Sequence, residues 1–335
     1  MFALIAQLLL MLLVILAAAE LFTNALEHLG HRLGISEGVT GSLFAAVATA
    51  LPETTVPLLA LLGGTASARV NAEIGTGAIL GAPLMLCTLS SFLMATAVLG
   101  RRGLRGRIQP ENSGLVRDLN FFIGAFALAI AAMFVPVDWR TVRTGIGLVL
   151  ALAYFLYVLL TLQASAALVQ EGHGTQAEAP LWLEHLRLPR SLPTIFAQLG
   201  LATVLLLLGA RGFINGVDAV SQALGVSALL IALLVIPLAT ELPEKLNSIL
   251  WIRRGKDTLA MGNITGALVF QGTLLPAIGI CLTDWGPRPE VLAGLLITLL
   301  AAAWLRAWAR PGGIALWALG VNGALYLLYL GLMLG

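Results

Sequence analysis

Ala48-Thr49-Ala50-Leu51-Pro52-Glu53 and Ala239-Thr240-Glu241-Leu242-Pro243-Glu244 are two copies of one pattern, Thr-x-Leu-Pro-Glu, set 191 residues apart. The same offset aligns residues 19–24 with 210–215 and residues 33–36 with 224–227, and it holds without a gap as far as Gly64 and Gly255. Reduced to 185, it aligns Gly77-Ala78-Ile79-Leu80-Gly81-Ala82 with Gly262-Asn263-Ile264-Thr265-Gly266-Ala267. The chain therefore repeats itself, and a proline followed by a glutamate stands at the matched point of each copy.

Both copies lie in strongly apolar surroundings. Of 335 residues, 59% are hydrophobic and only 11% charged, with a mean hydropathy of +0.95. A soluble domain carries about a quarter of its residues as charges, so this chain cannot cover a water-facing surface of its size. Apolar stretches of about 18 residues or more recur along its length, the mark of spanning helices. The alternating segments of a membrane β-barrel are absent. The expected fold is an all-α polytopic membrane protein. Ten spans are expected, at roughly 2–28, 36–62, 72–99, 117–135, 143–164, 193–221, 226–252, 257–281, 289–308 and 314–334. The first opens on apolar residues with no basic leader, so it reads as a span and not as a cleaved signal.

Five spans per copy is an odd number, so the copies should cross the bilayer in opposite senses, as in inverted-repeat transporters whose site lies at mid-membrane between the halves. The expected organisation is residues 1–164 as the first repeat, 165–192 as a cytoplasmic connection and 193–335 as the second repeat. Thirteen Lys and Arg flank the loops after odd-numbered spans and five the loops after even-numbered ones. Positive loops stay inside, so both termini should face outside. Trp182–Leu186 in the connection reads as loop, with an interfacial segment as the alternative.

A glutamate at the centre of a span costs roughly 2.5–3.5 kcal/mol on insertion scales and marks function by default. Glu53 and Glu244 are two such groups at matched positions. Pro52 and Pro243 interrupt the helical hydrogen bonding toward Ala48 and Ala239, and Pro57 does so toward Glu53. Loosened carbonyls beside a carboxylate form a hard-oxygen site, suited to Ca2+, Na+ or Mn2+. Thr49 and Thr240 would add hydroxyls. The glycines of the third and eighth spans, Gly75, Gly77 and Gly81 and then Gly262, Gly266 and Gly272, let helices approach closely. Glu241 adds a second carboxylate three residues before Glu244, and Lys245 follows it at i+4, the favourable order for an ion pair. The pair reads either as local neutralisation or as a titratable cluster that tunes the cation or carries a proton, since crowded carboxylates raise each other's pKa.

These motifs resemble the α-repeats of the calcium/cation antiporter superfamily, above all its prokaryotic sodium/calcium exchanger branch. The pattern there is Gly-Thr-Ser-x-Pro-Glu, then Gly-Asn-x-x-Gly-Ser-Asn or -Asp in the next helix. The resemblance covers nearly the whole chain. It implies a bacterial inner membrane, Ca2+ as transported ion, Na+ or H+ as counter-ion, and coordination by Glu53 and Glu244 with Thr49, Thr240 and the carbonyls of Ala48 and Ala239. Departures are visible: Ala50 and Glu241 replace the serine, while Ala82-Pro83 and Ala267-Leu268 replace the Ser-Asn pair. Only Asn263 keeps its identity, and Gln271 takes another position that is often Asn. Lost oxygens weaken Na+ coupling and favour H+. Glu241 and Asn263 join the expected cation site, with Lys245 and Gln271 modulating it.

Other polar residues are weaker candidates. Asn71, Glu73 and Asp257 read as an outer mouth or as residues favouring helix starts. Asn24 and Asn215 read as hydrogen bonds between helices. Glu27-His28-x-x-His31 inverts the zinc-protease order, so it reads as an interfacial cluster. Cys87 and Cys281 read as small buried apolar residues. No basic stripe suggests nucleic acid, and nothing calls for an organic cofactor or an obligate protein partner beyond the lipid bilayer. An intramembrane enzyme would need a nucleophile and base, or a metal triad, at one depth, and none is seen. A relative that has lost exchange and serves as a leak pathway or sensor is the competing reading.

Overall fold

The computed structural model describes residues 2–32, 45–169 and 180–334. The described chain is helical almost throughout; its β-structure is one antiparallel pair of two-residue strands. Among the described residues, eight helices are long and apolar enough to cross a membrane. The segments expected as second and seventh spans are shorter or broken. Residues 36–44 of the expected second span lie outside the described residues.

Helices follow from the bilayer: with no water in the hydrocarbon, each backbone donor and acceptor must find its partner within its own segment. In chain order the elements are α1 (Phe2–Arg32), α2 (Ala45–Leu61), α3 (Ala68–Met85), a π turn (Leu86–Ser90), α4 (Ser91–Arg102), β1 (Arg107–Ile108), α5 (Asn112–Ala132) and α6 (Arg140–Val169). A 3₁₀ turn (Trp182–Leu186) leads to α7 (Leu192–Leu224), α8 (Ala228–Thr240), α9 (Leu242–Arg253), α10 (Asp257–Leu282), α11 (Pro289–Trp308), β2 (Ile314–Ala315) and α12 (Leu316–Leu334).

The chain forms two compact units, and each draws on both copies of the repeat. One comprises residues 1–71 and 159–226, the other residues 72–158 and 227–335. In the first unit α1, α2 and α7 pack on one another. Glycines on α7 admit α1: a Cβ at Gly209 would stand 3.0 Å from Ile15 Cγ1, and one at Gly216 would stand 2.8 Å from Leu8 Cδ2. Small residues at a helix crossing let backbones close up where lipid gives no hydrophobic drive. Toward the far end of α1, buried Asn24 accepts from Gln198 Nε2 of α7 at 2.9 Å and from the Trp182 amide at 3.1 Å, and donates to the Pro180 carbonyl. Asn24 thus bonds between helices as expected, and the 3₁₀ turn is stitched to it. The repeat partner Asn215 is instead exposed on α7.

In the second unit α10 packs on α5 and α9, while α4, α11 and α12 surround the π turn. Pro83 inside α3 cannot donate to the carbonyl four residues back, and the wide π turn follows within one helical turn. Its loosened Cys87 carbonyl accepts from buried Asn322 Nδ2 of α12 at 2.7 Å. At one end, Arg102 grips Asp257 with two 2.7 Å hydrogen bonds, and the Gln109 amide adds a third at 2.8 Å. Charge-assisted forks of this kind are strong and directional. Asp257 therefore holds a joint together and does not line a mouth.

Candidate cation site

The seventh expected span breaks at Glu241. Helix α8 ends at Thr240, α9 begins at Leu242, and Glu241 between them has φ −95° and ψ 10°, the sparsely populated bridge region. Pro243 lies in the first turn of α9, where a missing N–H costs nothing. The break differs from the one expected: the chain turns at the extra carboxylate and not at the Pro-Glu step. Pro52 and Pro57, by contrast, sit inside an uninterrupted α2.

Around this break the second unit gathers its polar side chains. Glu241 and Gln271 are fully buried, with Glu244 and Lys245 nearly so. Gln271 Nε2 of α10 donates to Glu241 Oε1 at 2.9 Å, and Lys245 Nζ lies 3.6 Å from Glu241 Oε2. Nζ also donates to the Pro237 carbonyl at 3.1 Å and contacts Met85 Sδ of α3 at 3.2 Å. The i+4 ion pair is therefore present and sealed from solvent. Asn263 Nδ2 of α10 donates to the Glu244 carbonyl at 3.1 Å and to Ser248 Oγ at 3.0 Å, bracing the first turns of α9. Any part Asn263 takes in holding a cation would fall to its Oδ1. Thr240 Oγ1 donates to Ile236 O at 3.1 Å, which leaves its lone pairs as the face open to a cation. Close approach of α3 is secured by Gly77 and Gly81. A Cβ on Gly77 would stand 2.7 Å from the Leu229 carbonyl, and one on Gly81 would stand 2.7 Å from Pro237 Cγ.

In the first unit, Glu53 is buried at 5% exposure on α2. Thr49 and Ala48 belong to α2 and Ala239 to α8, but their side chains lie outside the described residues. Among the described residues no cluster of three or more His, Cys, Asp and Glu is arranged to hold a metal. The oxygens on offer are single carboxylates, hydroxyls and backbone carbonyls, the donors that hard cations prefer.

Of the weaker candidates, Glu73 lines a cleft: with Thr76 and Arg288 it borders one of about 270 Å³, and Arg288 pairs with it at 3.0 Å. Cys87 is buried as expected, whereas Cys281 is exposed and borders another cleft beside Arg143. Asn71 ties down its own loop through Thr65. His28 Nδ1 is engaged by Arg190 at 2.7 Å, and the side chains of Glu27 and His31 lie outside the described residues. Sequence reasoning missed buried Asp118 of α5, which accepts from Thr265 Oγ1 of α10 at 2.7 Å. Its position just inside a span beside Arg117 was the available signal. Pro237 and Met85 were missed too, because nothing local ties either to Lys245.

A polytopic helical membrane protein with carboxylates and a lysine sealed in its apolar interior belongs to the class that handles ions. The family follows from comparison. The model of the sodium/calcium exchanger protein family matches residues 3–163 and 194–335, so this chain belongs to that family. It is 26% identical over 305 residues to the inner membrane protein YrbG of Escherichia coli (strain K12), covering 89% of this chain and 87% of YrbG. Among solved structures it resembles the H+/Ca2+ exchanger CAX, with a TM-score of 0.71 at 19% identity over 99% of this chain and 82% of that one. It also resembles the sodium-calcium exchanger NCX_Mj, with a TM-score of 0.59 at 20% identity over 99% of both chains. At such identities the structural likeness speaks for the fold. The family consists of transporters and not enzymes, which removes the intramembrane enzyme from consideration.

Proposed function

We propose that this chain is a secondary active antiporter that carries a divalent cation, Ca2+ first, in exchange for H+ or Na+. The observation that carries the reading is a buried glutamate at the matched Pro-Glu position of each repeat, Glu53 on α2 and Glu244 on α9. These two would bind the ion, helped by Thr49, Thr240 and the carbonyls of Ala48 and Ala239. α1 and α7, packed along each other, would move together to alternate access between inverted halves. H+ is favoured over Na+ because Ala50, Ala82 and Ala267 replace family side chains that bear oxygen. The membrane would be a bacterial inner membrane, with both termini outside. Likeness to an inner membrane protein supports this, as does the excess of Lys and Arg on one side.

The test is divalent flux into proteoliposomes under a pH or Na+ gradient. Glu53→Gln and Glu244→Gln should each lower flux by a hundredfold or more, on the order of 3 kcal/mol, the cost of leaving a buried charge unpartnered. Undiminished flux in both variants overturns the site.

A further inference from the structure

The Lys245 side chain, 3% exposed, reaches back from α9 across the helix break to α8. An ammonium has three donors and no acceptor. Here it meets three partners, the Pro237 carbonyl at 3.1 Å, Met85 Sδ at 3.2 Å and Glu241 Oε2 at 3.6 Å. The carbonyl and the thioether accept its two hydrogen bonds, and the carboxylate oxygen at 3.6 Å stands at ion-pair distance. The other oxygen of Glu241 is held by Gln271. The ammonium also lies by the C-terminal end of α8, the negative end of that helix's dipole, where the Pro237 carbonyl also accepts from the Glu241 amide at 3.2 Å. In transporters built on broken helices, such ends and their carbonyls coordinate a monovalent cation.

We propose that Lys245 Nζ is a built-in monovalent cation: it fills the place of one counter-ion beside Glu241, so the carrier moves one monovalent charge fewer per divalent ion. The proposal rests on the antiporter reading and makes Lys245 a determinant of stoichiometry and ion dependence. An ordinary structural ion pair predicts neither.

The experiment compares wild type, Lys245→Met and the Glu241→Gln/Lys245→Met double variant in proteoliposomes. Methionine keeps the length of the stem and removes the charge. The single variant vacates an anionic cavity; the double variant neutralises it. Wild-type divalent flux should be the same in choline, Na+ or K+ on the side opposite the driving gradient. In Lys245→Met, flux should fall about tenfold or more in choline, as a buried carboxylate loses its partner, and recover in saturating Na+ or K+. The charge moved per divalent ion should then differ from wild type by one. The double variant should lose this monovalent dependence. Lys245→Met flux that is indifferent to monovalent ions, with unchanged charge per ion, overturns the proposal. Melting of the detergent-solubilised proteins in choline, Na+ and K+ chloride gives a readout that needs no transport. Na+ or K+ should raise the Tm of Lys245→Met and leave wild type unmoved, and equal responses count against the proposal. Should wild type show no exchange, the antiporter reading falls, and the melts still decide whether the site takes a cation.

Discussion

The two Pro-Glu helices carry the same five-residue pattern and fold differently. α2 runs unbroken from Ala45 to Leu61 with two prolines inside it, whereas its counterpart splits into α8 and α9 at Glu241. Pro52 and Pro243 are common to both, so that proline alone does not decide. Within residues 49–54 and 240–245 the matched residues that differ are Ala50 against Glu241 and Thr54 against Lys245. A buried carboxylate needs donors from beyond its own helix turn, and Glu241 finds them in Gln271 of α10 and in the Lys245 ammonium. Alanine at the same position asks for nothing, and the helix continues. In this chain the matched segment that carries Glu241 and Lys245 is the one that is interrupted, and the shared proline does not by itself break a helix.

That contrast can be broken in graded ways. The largest effect should come from the two glutamates the helices share, since Glu53→Gln and Glu244→Gln remove like groups from unlike surroundings. Closely similar losses of flux would mean that the break matters little to binding. A much larger loss for Glu244→Gln would show that the interrupted helix carries the ion, and a much larger loss for Glu53→Gln that the unbroken one does. Next comes Glu241→Ala, which copies Ala50 into the second repeat. It strands Lys245 in the interior and should destabilise the protein by about 3–5 kcal/mol, read as a lowered midpoint of thermal unfolding in detergent. Adding Lys245→Thr, to complete the match with Thr54, should restore most of that loss, because removing both partners of a buried pair is nearly neutral. Asn263→Ala strips two hydrogen bonds from the first turns of α9 and should cost about 1–3 kcal/mol, with a weaker apparent divalent affinity in the flux assay.

The smallest effect lies outside the membrane. Glu111 caps α5, accepting from the Ser113 and Gly114 amides, while its own amide donates to Thr258 at the start of α10. The Gly114 amide, with that of Ser113, holds its carboxyl below the usual carboxylate range. A depressed folded pKa gives stability that is full above the unfolded value, about 4.3, and is lost as pH falls through the lower folded value. Protection of the α5 N-terminal amides from hydrogen exchange should therefore hold at neutral pH and weaken only in acid. Glu111→Gln should weaken it at neutral pH.

Much of this is legible in the sequence. Apolar length dictates helices, and the Glu241–Lys245 spacing dictates an ion pair, because both are local properties of the chain. Burial of Glu53 and Glu244 followed from their place within apolar runs. What escaped was tertiary. Met85 stands 160 residues from Lys245 and Thr265 stands 147 from Asp118, and no periodicity reports contacts of that range. Asn215 failed for a related reason: a repeat conserves positions along the chain, and the helix face that meets a neighbour need not be conserved with them. The interruption at Glu241 was expected two residues later, since proline is the obvious breaker and the demand of a buried carboxylate is not.

The π turn between α3 and α4 carries one more consequence. A single extra residue per turn rotates everything beyond it by about 100° relative to a plain α-helix. Upstream, the rod aims Gly77, Gly81 and Met85 at α8 and the lysine; downstream, it aims Phe92 at Gly323 of α12 and Arg102 at Asp257. One continuous rod thus behaves as a crankshaft with two separately phased throws, and the five residues from Leu86 to Ser90 set the angle between the end that meets Lys245 and the end that grips Asp257.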